Sequence, residues 1–106
     1  MKTIYVVGIG PGDVRYLSGL AREVLQSADL LCGYTVYIDL VRSLCPETPA
    51  ITTAMTEEIA RCRMAFEQAM VGKTVAMVCS GDAGIYGMAG PILELWPEYP
   101  EVDVEV

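Results

Sequence analysis

Residues 73–90 have the sequence KTVAMVCSGDAGIYGMAG, an apolar run that leads directly into glycines at positions 81, 84, 87 and 90. The run over 73–79 predicts a strand buried on both faces, because its apolar residues do not alternate with polar ones. Glycine costs conformational entropy inside regular structure. Four glycines after such a strand therefore predict a backbone that a ligand or a neighbouring element approaches closely.

The rest of the chain alternates strands and helices around this segment. Strands are predicted over 3–9, 29–33, 50–55, 73–79 and 102–106, and helices over 18–28, 34–44, 56–71 and 86–95. This order is typical of a three-layer α/β/α domain with a mostly parallel five-stranded sheet. Such sheets bind ligands beyond the carboxyl ends of their strands, where segments 8–12 and 81–90 both fall.

The predicted helices carry apolar stripes and capping residues. Ser18 and Thr56 are suitable N-caps for the helices over 18–28 and 56–71, and Gly72 is suited to end the second of these. The buried stripes are predicted to contain Leu20, Ala21, Val24, Leu25 and Ala28 in the first, and Ile59, Cys62, Phe66, Ala69 and Met70 in the second. The solvent-exposed face of the helix over 56–71 is predicted to carry two i,i+4 ion pairs, Glu57–Arg61 and Arg63–Glu67.

Composition excludes several classes of protein. The 106 residues carry a formal net charge of -7, which argues against a nucleic-acid partner. No apolar run approaches the ~18 residues of a membrane span, and the N-terminal run breaks at Gly8 and Pro11, unlike a signal peptide. The chain has no histidine, and its cysteines at 32, 45, 62 and 79 match no zinc pattern, so no metal site is predicted. Buried thiols fit a reducing cytoplasm.

The glycine segments depart from the common nucleotide motifs. GIGPGD at 8–13 places its third glycine, Gly12, one residue too early for the dinucleotide fingerprint, and the second strand ends in GY instead of an acidic residue. Neither segment continues into the Gly-Lys-Ser/Thr of a P-loop, and SGDAG is not a nucleophile elbow. Common methyltransferases have an acidic residue where this chain has Val6.

A purely structural strand-to-helix turn stays open for either loop alone. Two loops at one sheet edge, each following a buried strand and each with an aspartate (Asp13, Asp82), favour a binding site. Small residues at 87 and 90 are best explained by close packing of a helix on the sheet.

Three segments together resemble the N-terminal half of the tetrapyrrole (corrin/porphyrin) methylases: VVGIGPGD at 6–13, LLCGYTVYIDL at 30–40 and TEEIARCRMAFEQAMVGKTVAMVCSGDAGIYGMAG at 56–90. SGDAGIYGMAG narrows the similarity to the precorrin-3B / cobalt-factor III C17-methyltransferases of cobalamin biosynthesis. The resemblance covers the whole chain. Ala54 and Cys79 depart from the glycine and serine that this group leads us to expect.

The resemblance implies a two-domain enzyme, with residues 1–106 as its N-terminal α/β domain and the C-terminal domain absent from this chain. S-adenosylmethionine would bind in a cleft between the domains, with the tetrapyrrole in a trough beside it. The implied cofactor-binding residues are Pro11, Ser80, Gly81, Asp82 and Ile85. The implied substrate-binding residues are Gly10, Asp13 and Tyr34.

The implied reaction is methyl transfer to C17 of precorrin-3B or cobalt-factor III, with ring contraction. A sulfonium already activates the methyl group, so alignment within about 3–3.5 Å is the main task, which suits a chain without histidine. Ring contraction also moves protons, for which Asp13 is the candidate catalytic residue and Tyr34 a second candidate.

We expect a cytoplasmic homodimer, and we expect the 106-residue chain alone to bind the cofactor weakly and to be inactive. Two alternatives stay open. One is a non-catalytic, flavodoxin-like module that binds a nucleotide or metabolite. The other is a tetrapyrrole methylase that acts at a different carbon.

Overall fold

The computed structural model describes residues 2–8, 19–53, 58–79 and 89–105. Within these residues, strands and helices alternate as predicted. The strands are β1 (Thr3–Gly8), β2 (Leu30–Tyr34), β3 (Ala50–Thr53), β4 (Thr74–Cys79) and β5 (Asp103–Glu105). The helices are α1 (Gly19–Ser27), α2 (Thr35–Val41), α3 (Glu58–Met70) and α4 (Ala89–Leu95), and short 3-10 turns follow α2 at Arg42–Leu44 and α4 at Trp96–Glu98.

The strands form one sheet in the order β3-β2-β4-β1-β5, and every pairing between described strands is parallel. Each strand is joined to the next through a helix, as a parallel sheet requires. The predicted α/β/α architecture with a five-stranded sheet is therefore confirmed. β4, which carries the apolar run quoted above, lies at the centre of the sheet between β2 and β1.

Both faces of the three central strands are buried, which explains why β1, β2 and β4 lack alternating polar residues. On β4, Val75, Met77 and Cys79 belong to one core, and Ala76 and Val78 belong to the other. The first core is completed by buried residues of α3 and α4, and the second by buried residues of α1 and α2. Successive strand side chains point to opposite faces, so each strand supplies both cores.

The ends of the elements are set by identifiable residues. Gly72 has φ 99°, the conformation predicted for the residue that ends a helix, and its N–H donates to the carbonyl of Ala69 at 2.9 Å. Tyr34 was predicted to lie in the second helix but is the last residue of β2, where its extended backbone (φ -69°, ψ 142°) precedes α2. The proposed N-caps Ser18 and Thr56 lie outside the described residues.

The buried stripes differ from prediction at two places. Leu20 is 72% exposed and Ile59 is 51% exposed, and each lies in the first turn of its helix. On α3 the buried face includes Arg61, which is only 3% exposed, and Ala65. The buried face of α3 is therefore turned away from Ile59, and the prediction that Arg61 lies on the solvent-exposed face was wrong. The neighbouring Arg63 binds Glu98 at 3.1 Å instead of its predicted partner Glu67, because Trp96–Glu98 packs next to α3.

The predicted thiol environments are confirmed. Cys32, Cys45, Cys62 and Cys79 are all buried, and none is in a disulfide. No helix among the described residues is long and apolar enough to cross a membrane.

Candidate functional site

One row of residues crosses four strands at the carboxyl edge of the sheet. Thr53 of β3 pairs with Tyr34 of β2, and Gly8 of β1 pairs with Cys79 of β4. Gly33 pairs with Val78, so the next residues, Tyr34 and Cys79, are level with each other. Neighbouring parallel strands lie about 4.8 Å apart, which puts Tyr34 and Gly8 roughly 10 Å from each other on either side of β4.

The chain leaves the neighbouring strands β1 and β4 toward opposite faces of the sheet. After β1 it continues to α1, whose Leu25 is in the core shared with α2. After β4 it continues to α4, whose Ile92 is in the core shared with α3. Open α/β sheets bind ligands in a crevice where neighbouring strands diverge in this way at their carboxyl ends, so we expect the ligand crevice at the ends of β1 and β4. The glycine segments that begin at positions 9 and 80 both start from this crevice.

Gly33 lets β2 approach β4 closely just below the edge. A Cβ at this position would lie 2.7 Å from the carbonyl oxygen of Val78 and 3.5 Å from Cδ1 of Ile38. Real Cβ atoms essentially never approach another atom closer than 3.0 Å. The sequence analysis did not single out Gly33, because its role depends on a strand that is 45 positions away in the chain.

The thiol of Cys79 joins the two central strands where they end. Its Sγ donates a weak hydrogen bond to the carbonyl of Val7 at 3.5 Å, and its side chain is buried. Cys32, on β2, similarly donates to the carbonyl of Arg61 at 3.6 Å. Burial raises the pKa of Cys32 to about 12, despite the opposing effect of the Arg61 charge. Cys32 therefore stays protonated at neutral pH and does not act as a nucleophile.

Tyr34 is the one candidate site residue that lies among the described residues. It is half-buried at the tip of β2, and its ring meets that of Tyr37 edge-on, with centroids 5.6 Å apart and planes at 73°. The remaining candidates (Gly10, Pro11, Asp13, Ser80, Gly81, Asp82 and Ile85) lie outside the described residues. The described residues show that the two glycine segments begin directly after a pair of neighbouring residues, Gly8 and Cys79.

A separate cleft of about 680 Å³ lies between α1 and β1. Its walls include Tyr5–Gly8, residues of α1 from Leu20 to Ser27, and Glu105 of β5. The described residues that line it include none of β4. This cleft therefore flanks the crevice on the side of β5, and it reaches the edge only at Gly8.

No group of three or more His, Cys, Asp or Glu residues suited to hold a metal ion occurs in the described ranges. Beyond Gly33, two residues were not predicted in the role that the structure gives them: Tyr37, whose ring meets that of Tyr34, and Arg61 of α3, whose burial was predicted wrongly. The spacing of Tyr34 and Tyr37 on a helix start was a visible signal for the first. For Arg61 the i,i+4 pattern indicated solvent exposure instead.

The fold and its edge define a class of protein: an α/β domain whose parallel sheet is covered by helices on both faces. In this class the ligand crevice is expected where the chain leaves neighbouring strands toward opposite faces of the sheet. The strand order β3-β2-β4-β1-β5 differs from the 3-2-1-4-5 order of the Rossmann fold and the 2-1-3-4-5 order of flavodoxin. Residues 3–106 match the family model described as Tetrapyrrole (Corrin/Porphyrin) Methylases. The chain belongs to this family, as its motifs led us to expect.

Relatives narrow the similarity to one group of the family. The chain is 42% identical over 108 residues to a cobalt-factor III methyltransferase of Priestia megaterium, which aligns with 97% of the chain and 20% of that protein. It is 46% identical over 101 residues to a probable cobalt-factor III C(17)-methyltransferase of Salmonella typhimurium, covering 95% of the chain and 42% of that protein. The chain thus spans less than half the length of these relatives.

Solved structures share the same fold. The methyltransferase CobJ superposes with a TM-score of 0.85 at 28% identity, over 97% of this chain and 44% of that one. A uroporphyrin-III C-methyltransferase from Thermus thermophilus, in complex with S-adenosylhomocysteine, has a TM-score of 0.80 at 25% identity, over 98% and 46% of the two chains. These neighbours are methyltransferases with the same sheet and helices.

Proposed function

We propose that this chain forms the N-terminal, cofactor-binding domain of an S-adenosylmethionine-dependent methyltransferase. Its substrate would be a tetrapyrrole of the precorrin-3B / cobalt-factor III type, methylated at C17 with ring contraction in cobalamin biosynthesis. The observation that carries the proposal is the pairing of Gly8 with Cys79, since it brings two glycine segments to one crevice. The relatives named for cobalt-factor III methylation support the substrate class.

The residues of the two glycine segments would divide between cofactor and substrate. Asp82 is suited to accept hydrogen bonds from the cofactor's ribose hydroxyls or to pair with its ammonium group. Backbone N–H groups of a glycine-rich turn are suited to receive its carboxylate. Pro11, Ser80, Gly81 and Ile85 complete the proposed cofactor site, and Gly10, Asp13 and Tyr34 the proposed substrate site.

S-adenosylmethionine, when bound, supplies a methyl group that its sulfonium has already activated. The chain's own contribution would be to hold donor and acceptor in line, since orientation alone supplies a large part of such a rate acceleration. Asp13 would take or return a proton during ring contraction, and the Tyr34 hydroxyl is a second candidate for that step. The described thiols take no part, because the pKa of Cys32 is raised by burial and Cys79 is committed to the Val7 carbonyl.

We further propose a cytoplasmic, homodimeric enzyme that binds neither nucleic acid nor membranes. Four cysteines without disulfides support a reducing compartment, and the net charge of -7 disfavours nucleic-acid phosphates. Relatives that are more than twice as long support the view that this chain is one domain of a larger enzyme.

Calorimetric titration with S-adenosylhomocysteine tests the cofactor site. We expect the complete gene product to bind it, the 106-residue chain to bind it weakly, and Asp82→Asn to reduce affinity. Asp103→Asn, at an exposed position of β5, is the matched control and should leave binding unchanged. If the complete product is stabilised by FMN or NAD but not by S-adenosylhomocysteine, the proposal is wrong.

Product analysis tests the chemistry. Incubation of the complete gene product with cobalt-factor III and S-adenosylmethionine should give a ring-contracted product with one added methyl group, located at C17 by NMR. A methyl group at another carbon would identify a different member of the family and contradict the assignment to C17. Micromolar binding or turnover by the 106-residue chain would contradict its proposed dependence on further domains.

A further inference from the structure

Two tyrosine rings meet at the carboxyl edge of the sheet, next to the strand from which the SGD segment departs. Tyr34 ends β2, and it is level with Cys79, the residue before Ser80. Tyr37 lies in the first turn of α2, and the two rings form an edge-to-face pair with centroids 5.6 Å apart. Aromatic pairs of this geometry stabilise each other beyond their buried area.

The two rings differ in how firmly they are held. Tyr37 packs against the core shared by α1 and α2, and the residue that follows it, Ile38, is almost completely buried. Tyr34 makes no cap hydrogen bond to α2, and although it is partly buried like Tyr37, it is not among the described residues that pack against this core. Among the described residues, no hydrogen bond from either tyrosine hydroxyl is seen. Tyr37 is thus anchored, while the ring and hydroxyl of Tyr34 remain partly accessible.

We propose, building on the function proposed above, that this pair contacts the flat tetrapyrrole. Tyr34 would touch the macrocycle, and Tyr37 would act as a positioning residue that holds the Tyr34 ring in place. A partly exposed ring offers a π surface to a planar conjugated ligand.

The position of the pair favours the macrocycle over the cofactor. The crevice assigned to the cofactor lies between β1 and β4, whereas Tyr34 lies on the opposite side of β4. A ligand that touches both Tyr34 and the β1 loop must span roughly 10 Å, the width of two strand spacings. A tetrapyrrole is wide enough for that, and it would lie beside the donor.

Titration of the complete gene product with uroporphyrin, an available polycarboxylate tetrapyrrole, tests the proposal through the shift of its Soret band. Tyr34→Leu should raise the uroporphyrin Kd about three- to tenfold, the range expected for loss of one aromatic contact. Tyr34→Phe should stay within about twofold, because the ring remains. Tyr99→Leu, which removes a ring stacked on Phe66 in the other core, is the control and should not change this Kd.

A double-mutant cycle separates positioning from general structural support. Tyr37→Leu should weaken uroporphyrin binding in the wild-type background but have no further effect when Tyr34 is already Leu, since it acts through that ring. Equal effects of Tyr37→Leu in both backgrounds would overturn the positioning role. Thermal melting identifies any variant that does not fold. If Tyr34→Leu does not fold, Tyr34→Met carries the test, since it removes the ring but keeps a large apolar side chain, and an unchanged uroporphyrin Kd would contradict ring contact.

Measuring the S-adenosylhomocysteine affinity of the same variants distinguishes a failure of this inference from a failure of the proposed function. Unchanged cofactor affinity with weakened uroporphyrin binding is the expected result. If Tyr34→Leu weakens cofactor binding instead, or leaves both affinities unchanged, the pair does not contact the macrocycle. If the wild-type protein binds no S-adenosylhomocysteine at all, it is the proposed function that fails.

Discussion

Substitution of Gly33 by alanine tests the close approach of β2 and β4 at the carboxyl edge. The new Cβ would be 2.7 Å from the Val78 carbonyl oxygen, about 0.7 Å short of an ordinary contact at 3.4 Å. That oxygen belongs to the backbone of the central strand, so it cannot move aside as a flexible side chain would. Overpacking of this kind costs about 1–3 kcal/mol, and the lower entropy of the unfolded alanine chain returns about 0.4–1 kcal/mol.

The net expectation for Gly33→Ala is a loss of about 1–2 kcal/mol, which lowers Tm by roughly 5–15 °C in a domain of this size. Differential scanning calorimetry measures the shift. Gly19→Ala is the matched control: an added Cβ there meets nothing within 4 Å, and the position is helical, so stability should stay equal or rise slightly. If both variants melt within about a degree of wild type, the inferred crowding at Gly33 is wrong.

Four further predictions concern the described core. Gly72→Ala should cost about 1–2 kcal/mol in chemical denaturation because φ there is 99°, with Gly72→Asn costing less, and equal values would contradict the argument from φ. Thr3→Val should raise Tm, because the buried Thr3 hydroxyl has no hydrogen-bond partner within the part of the chain that the structure describes; a fall in Tm would indicate a missed partner. The raised pKa of Cys32 means that the unfolded thiol ionises first, so stability should fall as pH rises from about 9 toward 12, and less steeply in Cys32→Ala; parallel pH curves would refute this. Arg61→Met should cost roughly 2–3 kcal/mol, whereas Arg63→Met, exposed on the same helix, should change Tm little; equal shifts would contradict the burial of Arg61.

The class of fold could be predicted from the sequence alone. Runs such as VAMVC at 75–79, apolar at every position, are typical of strands covered on both faces, and the two cores that share β4 confirm that interpretation. Gly72 could be assigned because a helix end needs a residue that tolerates positive φ, and this is a local requirement. Features that depend on a few neighbouring residues were therefore predictable.

Features that depend on distant segments were not predictable. Nothing local distinguishes the order β3-β2-β4-β1-β5 from the Rossmann order, which exchanges β4 and β1, yet this order decides that Tyr34 of β2 lies next to Cys79 of β4 and not next to Gly8 of β1. The burial of Arg61 escaped prediction for a related reason. Its i,i+4 spacing from Glu57 suits an exposed pair, and only the rotation of α3 on the sheet brings it inside.

The strand order also places the starting points of the two glycine segments, Gly8 and Cys79, side by side although about 70 residues separate them in the sequence. β4 lies between β2 and β1 in the sheet. After β4 the chain turns to one face of the sheet, whereas after β2 and after β1 it turns to the other face. The edge is consequently open on both sides of β4, toward Gly8 and toward Tyr34. Under the proposed function, the cofactor would lie on the β1 side, and the macrocycle would reach from Gly10 and Asp13 across the end of β4 to Tyr34.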